Sequence, residues 1–242
     1  MNALSREELL FGYWPARQMA GDIPPPVRFP ADYASGSALN VACTQTALSK
    51  AKQDQLVDAW CELLPRLAVK TLAFSSKVPQ RLFDAACAVP GLQALSVKWS
   101  GITALDAIAR ATSLRALFLG SSPGVGSVAP LSSLSCMEHL FIENVQEPVD
   151  LSFVTALPQL REFGLSAPRG RKLRVRNLEP LRDLAHLEVL WLVSLQVEQG
   201  GLAPLHGLHR LASLRTNLRA SSPELQALRA ALPGLRHLQA VG

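Results

Sequence analysis

A chain of 242 residues with 48% hydrophobic and 18% charged side chains can bury a substantial core, which excludes a disordered or fibrous protein. No apolar run reaches the roughly 18–20 residues of a membrane helix, and MNALSREELL lacks the basic start and apolar stretch of a secretion signal, so the expectation is a soluble, cytoplasmic protein. The formal charge of +5 is local, because Arg169, Arg171, Lys172, Arg174 and Arg176 carry five positive charges in eight residues with no acid among them.

Along the chain, Ser5 and Glu8 have capping-box spacing and predict a short helix. The stretch GDIPPPVRFPADYASGS is rich in proline and small residues and reads as an extended loop wrapping the first turns of the fold. ALNVACT follows as a strand, and Ser49 to Leu64 as an amphipathic helix whose Leu56, Trp60 and Leu63 share a face. Residues 1–66 are therefore assigned to an N-terminal capping segment.

From residue 67 the chain repeats. The pattern L-x-x-L-x-L starts at Val69, Leu92, Leu114, Met137, Leu160, Leu187, Leu211 and Leu235, in steps of 23, 22, 23, 23, 27, 24 and 24 residues. Of its 24 apolar positions, 22 hold Leu, Ile, Val, Phe or Met, about twice what the composition would place there. Thr216 and Ala240 are the exceptions, in the last two repeats, where burial should fade. The flanks VAPLSSLSCMEHL, LEPLRDLAHLEVL and LAPLHGLHRLASL bring an apolar residue every third position, which suits 3₁₀ turns. Pro79 to Cys87 and Pro223 to Leu232 look helical instead.

In these repeats the chain resembles leucine-rich repeat proteins of the short-period kind seen in bacterial internalins. The resemblance covers about residues 67–242. It implies an α/β solenoid of about eight repeats, with a concave parallel β-sheet and a convex side of 3₁₀ turns and short helices. The Asn that the family usually carries beyond the strand is replaced by Ser100, Ser122, Val145 and Leu195, so no asparagine ladder is expected. The last strand stops at Gly242 and leaves a sheet edge.

Candidate catalytic groups do not converge. Cys43, Cys61, Cys87 and Cys136 form no C-x-x-C pair, and with three of them among apolar neighbours they read as buried, reduced thiols. His206 and His209 have no third metal ligand near them. Cys136 and His139 point from different places on one repeat, and GSSPGVGS lacks the lysine of a phosphate cradle. Neither enzyme chemistry, nor a metal, nor a cofactor is expected.

The face of the sheet turned away from the core carries the functional expectation. Between the last two template residues of each repeat stand Ala73, Ser96, Phe118, Phe141, Gly164, Trp191, Arg215 and Gln239, one rung per strand. Three aromatics thus align, with a notch at Gly164 and a cation–π partner for Trp191 in Arg215. His139, Glu162 and Val189 line the adjacent row, while Lys98, Trp99, Glu143 and Asn144 lie just beyond the strand ends. The row Arg115, Glu138, Arg161 and Glu188 alternates in sign and predicts cross-strand ion pairs.

An aligned apolar patch with polar flanks is the signature of an interaction site. The leading expectation is a non-catalytic bacterial protein that binds a protein partner through Phe118, Phe141, Trp191, Arg215, His139, Glu162, Lys98, Trp99 and Glu143. By analogy it would mask a toxin or effector, as an immunity or regulatory factor. One alternative is nucleic-acid or anionic-surface binding through the basic loop 169–176, expected to protrude from the one long repeat. Another is the targeting module of a secreted bacterial effector.

Overall fold

The computed structural model describes residues 3–146, 149–168, 170–218 and 222–240. Its first helix, α1 (Arg6–Phe11), starts at the expected capping box: Ser5 Oγ accepts the Glu8 N–H at 3.1 Å, and the Glu8 carboxylate accepts the Ser5 N–H at 2.8 Å. Gly12, at φ 82°, breaks the helix and α2 (Tyr13–Met19) begins at once.

The Pro-rich segment then returns the chain to the end of the repeat array, where Val27 bridges Val41 and Arg28 O accepts the Trp60 indole N–H at 2.9 Å. β1 (Ala38–Val41) and α3 (Lys50–Leu63), capped by Ser49, form a strand–helix unit at that end. Val57 and Trp60 are buried on α3, and Leu56 and Leu63 pack partly against the same core.

The repeats follow as β2 (Thr71–Phe74), β3 (Val78–Pro79), α4 (Gln80–Ala86), β4 (Ala94–Gly101), β5 (Ala116–Ser121), β6 (His139–Glu143), β7 (Glu162–Ser166) and β8 (Leu173–Val175). The chain closes with β9 (Val189–Val193), β10 (Leu195–Val197), β11 (Ser213–Thr216), α5 (Ser222–Ala231) and β12 (His237–Ala240). The main sheet runs β1-β2-β4-β5-β6-β7-β9-β11-β12 with every pairing parallel. Parallel neighbours require a crossover, and here each crossover is one turn of the solenoid.

The crossovers are 3₁₀ segments at Asp106–Arg110, Ala129–Ser133, Ser152–Ala156, Glu179–Leu181 and Ala203–Gly207, with α4 and α5 in the first and last turns. Each 3₁₀ segment buries a residue, namely Ile108, Leu131, Val154, Leu181 and Leu205, against the strand leucines. Burial of those template leucines is the main stabilising term, about 25 cal/mol for each Å² of apolar surface removed from water.

In two turns serine takes the place of the missing asparagine. Ser100 Oγ and Ser122 Oγ hydrogen-bond at 2.8 Å in the interior, Ser122 Oγ donates to Gly120 O, and Ser100 Oγ accepts the Ile102 N–H. Buried turn groups are thereby satisfied locally.

Thr216 departs from the expected fading of burial. It is as buried as the leucines, with β11 paired on both sides, to β9 and β12, and its hydroxyl accepts the Leu218 N–H at 3.1 Å. The fading sets in one strand later, where Leu235 and Leu238 are only partly buried.

The basic stretch departs further from a protruding loop. Leu173–Val175 is strand β8, paired in parallel with β10 and bridged at Val175 by Val149. Leu173 and Val175 are buried and Arg174 points outward, so alternation of apolar and basic residues ties the insertion to its neighbours.

Candidate functional site

The parallel register places the predicted ladder in one line. Ala73 pairs with Ser96, Ser96 with Phe118, Phe118 with Phe141, Phe141 with Gly164, Gly164 with Trp191, Trp191 with Arg215, and Arg215 with Gln239. The aromatics are half-buried and touch one another. Phe118 and Phe141 stack at 5.6 Å between centroids, and Phe141 meets Trp191 edge-on at 5.5 Å. The Arg215 guanidinium lies 4.5 Å from the Trp191 ring, while its Nε donates to Gln239 Oε1 at 2.8 Å.

The notch expected at Gly164 is filled. The Phe141 ring leans over the glycine, so that a Cβ there would collide with Phe141 Cδ2 and Cε2. Lack of a side chain at Gly164 is therefore what lets Phe141 reach Trp191.

The adjacent row is covered by the chain's own N-terminus. Trp14 of α2 packs on Ala94 and Ala116, with Tyr13, Ile23 and Phe118 around it. Small residues on two neighbouring strands leave room for the indole. One rung on, the Tyr13 ring lies 4.4 Å from that of His139, and the Tyr13 N–H donates to Glu162 Oε2 at 2.9 Å. The same oxygen is 3.0 Å from His139 Nδ1, and both His139 and Glu162 are buried. Burial raises the Tyr13 phenol above its ordinary range, an effect the Arg17 guanidinium, 5.6 Å from the ring, works against.

His139 and Glu162, expected as open contacts, thus lie beneath Tyr13. Sequence reasoning missed Tyr13 and Trp14, although a glycine followed by two adjacent aromatics after a capped helix was the available signal. Residues so far apart in the chain meet only because the fold returns the N-terminus across the array.

Lys98 and Trp99 are inside β4 rather than beyond it, since that strand runs on to Gly101. The exposed Trp99 indole donates to Gln45 Oε1 at 2.7 Å and lies 5.2 Å from Lys98 Nζ. Glu143 ends β6, and its burial raises the carboxyl above the usual range. Asn144, at φ 50°, donates from Nδ2 to Ser121 Oγ at 2.8 Å. The predicted ion pairs form as Arg115–Glu138 and Arg161–Glu188.

Of the basic residues, Arg171, Lys172, Arg174 and Arg176 are exposed in or beside β8, which pairs with β10 in a small separate sheet and not in the main sheet that carries the aromatic row; Arg169 lies outside the described residues. Arg171 and Lys172 line a shallow cavity with Asn144, Pro168 and Leu173. Cys136 is exposed, whereas the His139 ring faces Tyr13 and Glu162. Among the described residues no group of three or more His, Cys, Asp or Glu is placed to hold a metal ion. No helix among them is long and apolar enough to cross a membrane.

Solved structures with this architecture decide the fold. An internalin of Listeria monocytogenes matches at 20% identity, covering 74% of this chain and 50% of that one, with a TM-score of 0.59. The fold is a leucine-rich-repeat solenoid. Internalin C2 of the same organism shares it at 18% identity, covering 77% of this chain and 85% of that one, with a TM-score of 0.52. The plant peptide hormone receptor RGFR1, solved in complex with RGF2, shares it at 15% identity over 74% of this chain and 29% of that one, with a TM-score of 0.50. The solenoid spans half the length of the first of these proteins, and at such identities the likeness is one of fold. No protein-family model and no curated protein matches the chain.

Proposed function

We propose that this leucine-rich-repeat solenoid is a non-catalytic protein-binding scaffold whose contact surface is the concave, outward face of its sheet. The observation that carries this is the continuous row Phe118–Phe141–Trp191–Arg215, held in contact by strand register and half open to solvent. Aromatic and arginine side chains are where interface energy concentrates, and rings locked against one another lose little freedom on binding. Polar groups at its margin, Lys98, Trp99 and Glu143, supply selectivity. The plant peptide hormone receptor of the same fold, solved in complex with RGF2, supports the reading by analogy.

In its finer form the reading is of an immunity-like or regulatory factor that masks a toxin or effector. Cytoplasmic residence belongs to this proposal too.

The test replaces Phe118, Phe141 and Trp191 together by serine in the full chain and compares capture of partners from native cell lysate. The triple variant is expected to keep its circular dichroism spectrum and to lose capture. Capture at the wild-type level by a folded triple variant would overturn the proposal.

A further inference from the structure

The N-terminal helix pair sits on the sheet as a ligand sits on a receptor. It follows no repeat, contributes no strand, and reaches the solenoid through Gly12 and the start of α2. Gly12 supplies the first: its positive φ turns the chain, and a Cβ on it would meet Glu162 Oε1 at 2.5 Å and come within 3.9 Å of the Trp191 ring. Tyr13 supplies the second, through its N–H to Glu162 and its ring on His139. Trp14 supplies the third, in the pocket over Ala94 and Ala116.

The fit is incomplete in ways that an integral element of the fold would avoid. The Trp14 indole N–H is buried without a hydrogen-bond partner among the described residues. No residue of α1 is buried, and Phe11 and Met19 remain 44% and 59% exposed. By contrast, the Trp60 indole under the opposite end of the segment is fully buried and hydrogen-bonded. Pro24, Pro25 and Pro26 separate the two regions, and Pro24 O accepts from Asn40 Nδ2 of β1 at 3.1 Å, which anchors this linker at its β1 end.

We infer that residues 5–19 are an exchangeable occupant of the binding face. A partner enters by presenting a helical segment with the same order, a glycine followed by two aromatics, which takes the Glu162–His139 and Ala94–Ala116 positions in their place. This deepens the protein-binding reading above and rests on it. Docked residues 12–14 border the aromatic row at both Phe118 and Trp191. Exchange therefore changes the whole contact surface, and the chain's own segment competes with every partner.

The experiment uses the full chain and its Gly12→Ala variant, titrated with a fluorescein-labelled synthetic peptide of residues 3–21 and followed by anisotropy. Alanine at Gly12 meets the end of the Glu162 side chain and strains the backbone at φ 82°, and it is expected to undock the internal segment while the strand pairing stays in place. The peptide is expected to bind the variant at least about tenfold more tightly than the wild type, and a Trp14→Ala peptide to lose that binding. Equal affinity for both proteins, or binding to neither, overturns the inference.

Hydrogen exchange on the unmodified protein is independent of that variant. Amides of residues 13–19 should exchange by local opening, faster than those of β5 and β6; exchange only through global unfolding overturns the inference. Loss of capture in the aromatic triple variant bears on the protein-binding reading alone, whereas the peptide titration and exchange bear on the occupant alone.

Discussion

Phe141 lies over Gly164, its partner on the next strand, and this one contact turns separate aromatics into a continuous surface. With any side chain at Gly164, the ring would have to leave its place between Phe118 and Trp191. Gly164→Ala is accordingly expected to cost about 1–3 kcal/mol, the usual penalty of overpacking. Urea unfolding measures the loss, and near-ultraviolet circular dichroism should show the Phe141–Trp191 contact disrupted. An unchanged near-ultraviolet spectrum would contradict the assigned role of the glycine.

The ion-pair row is not uniform. Arg161 is largely buried and sends both Nε and Nη2 to Glu188 Oε1, at 2.9 and 2.7 Å, whereas the Arg115 side chain is 59% exposed. Glu188→Ala removes the carboxylate that both Arg161 donors use and should cost about 1–3 kcal/mol. Glu138→Ala should cost less than about 1 kcal/mol, because water replaces the carboxylate beside an exposed guanidinium. Equal effects in urea titrations would show that burial does not distinguish the two pairs.

Tyr13 ties segment docking to pH. Burial raises its phenol above the ordinary 10.0, so the docked state favours the protonated form. Above that ordinary value the undocked segment binds fewer protons than the docked one, and docking weakens as pH rises through the raised value. The charged groups that act on this titration are Arg17, Glu8, Asp22 and Glu138. Hydrogen exchange of residues 13–19, compared between wild type and Tyr13→Phe, should show an alkaline loss of protection only in the wild type.

Thiol labelling should follow burial. Cys136 is exposed, whereas burial pushes the Cys43 thiol up to about 11 and the Cys87 thiol up further still. Iodoacetamide at pH 8 is expected to modify Cys136 at least about tenfold faster than Cys43 or Cys87 in the folded protein. Mass spectrometry reads the order, and rapid modification of Cys87 would contradict its packing.

The repeat, the order of the strands and the row Phe118–Phe141–Gly164–Trp191–Arg215 follow from sequence alone. A period near 23 residues leaves one register in which the template leucines face inward, and strand alternation then places every intervening residue outward. The capping box at Ser5 and the helix after Ser49 are equally local, set by groups within one turn of each other. Where the first helices dock depends instead on Tyr13 meeting Glu162 across 149 positions, on space left by two alanines in different repeats, and on the turn at Gly12. Such a contact has no sequence period, so only the assembled tertiary structure decided it, along with the filling of the Gly164 notch and the burial of His139 and Glu162.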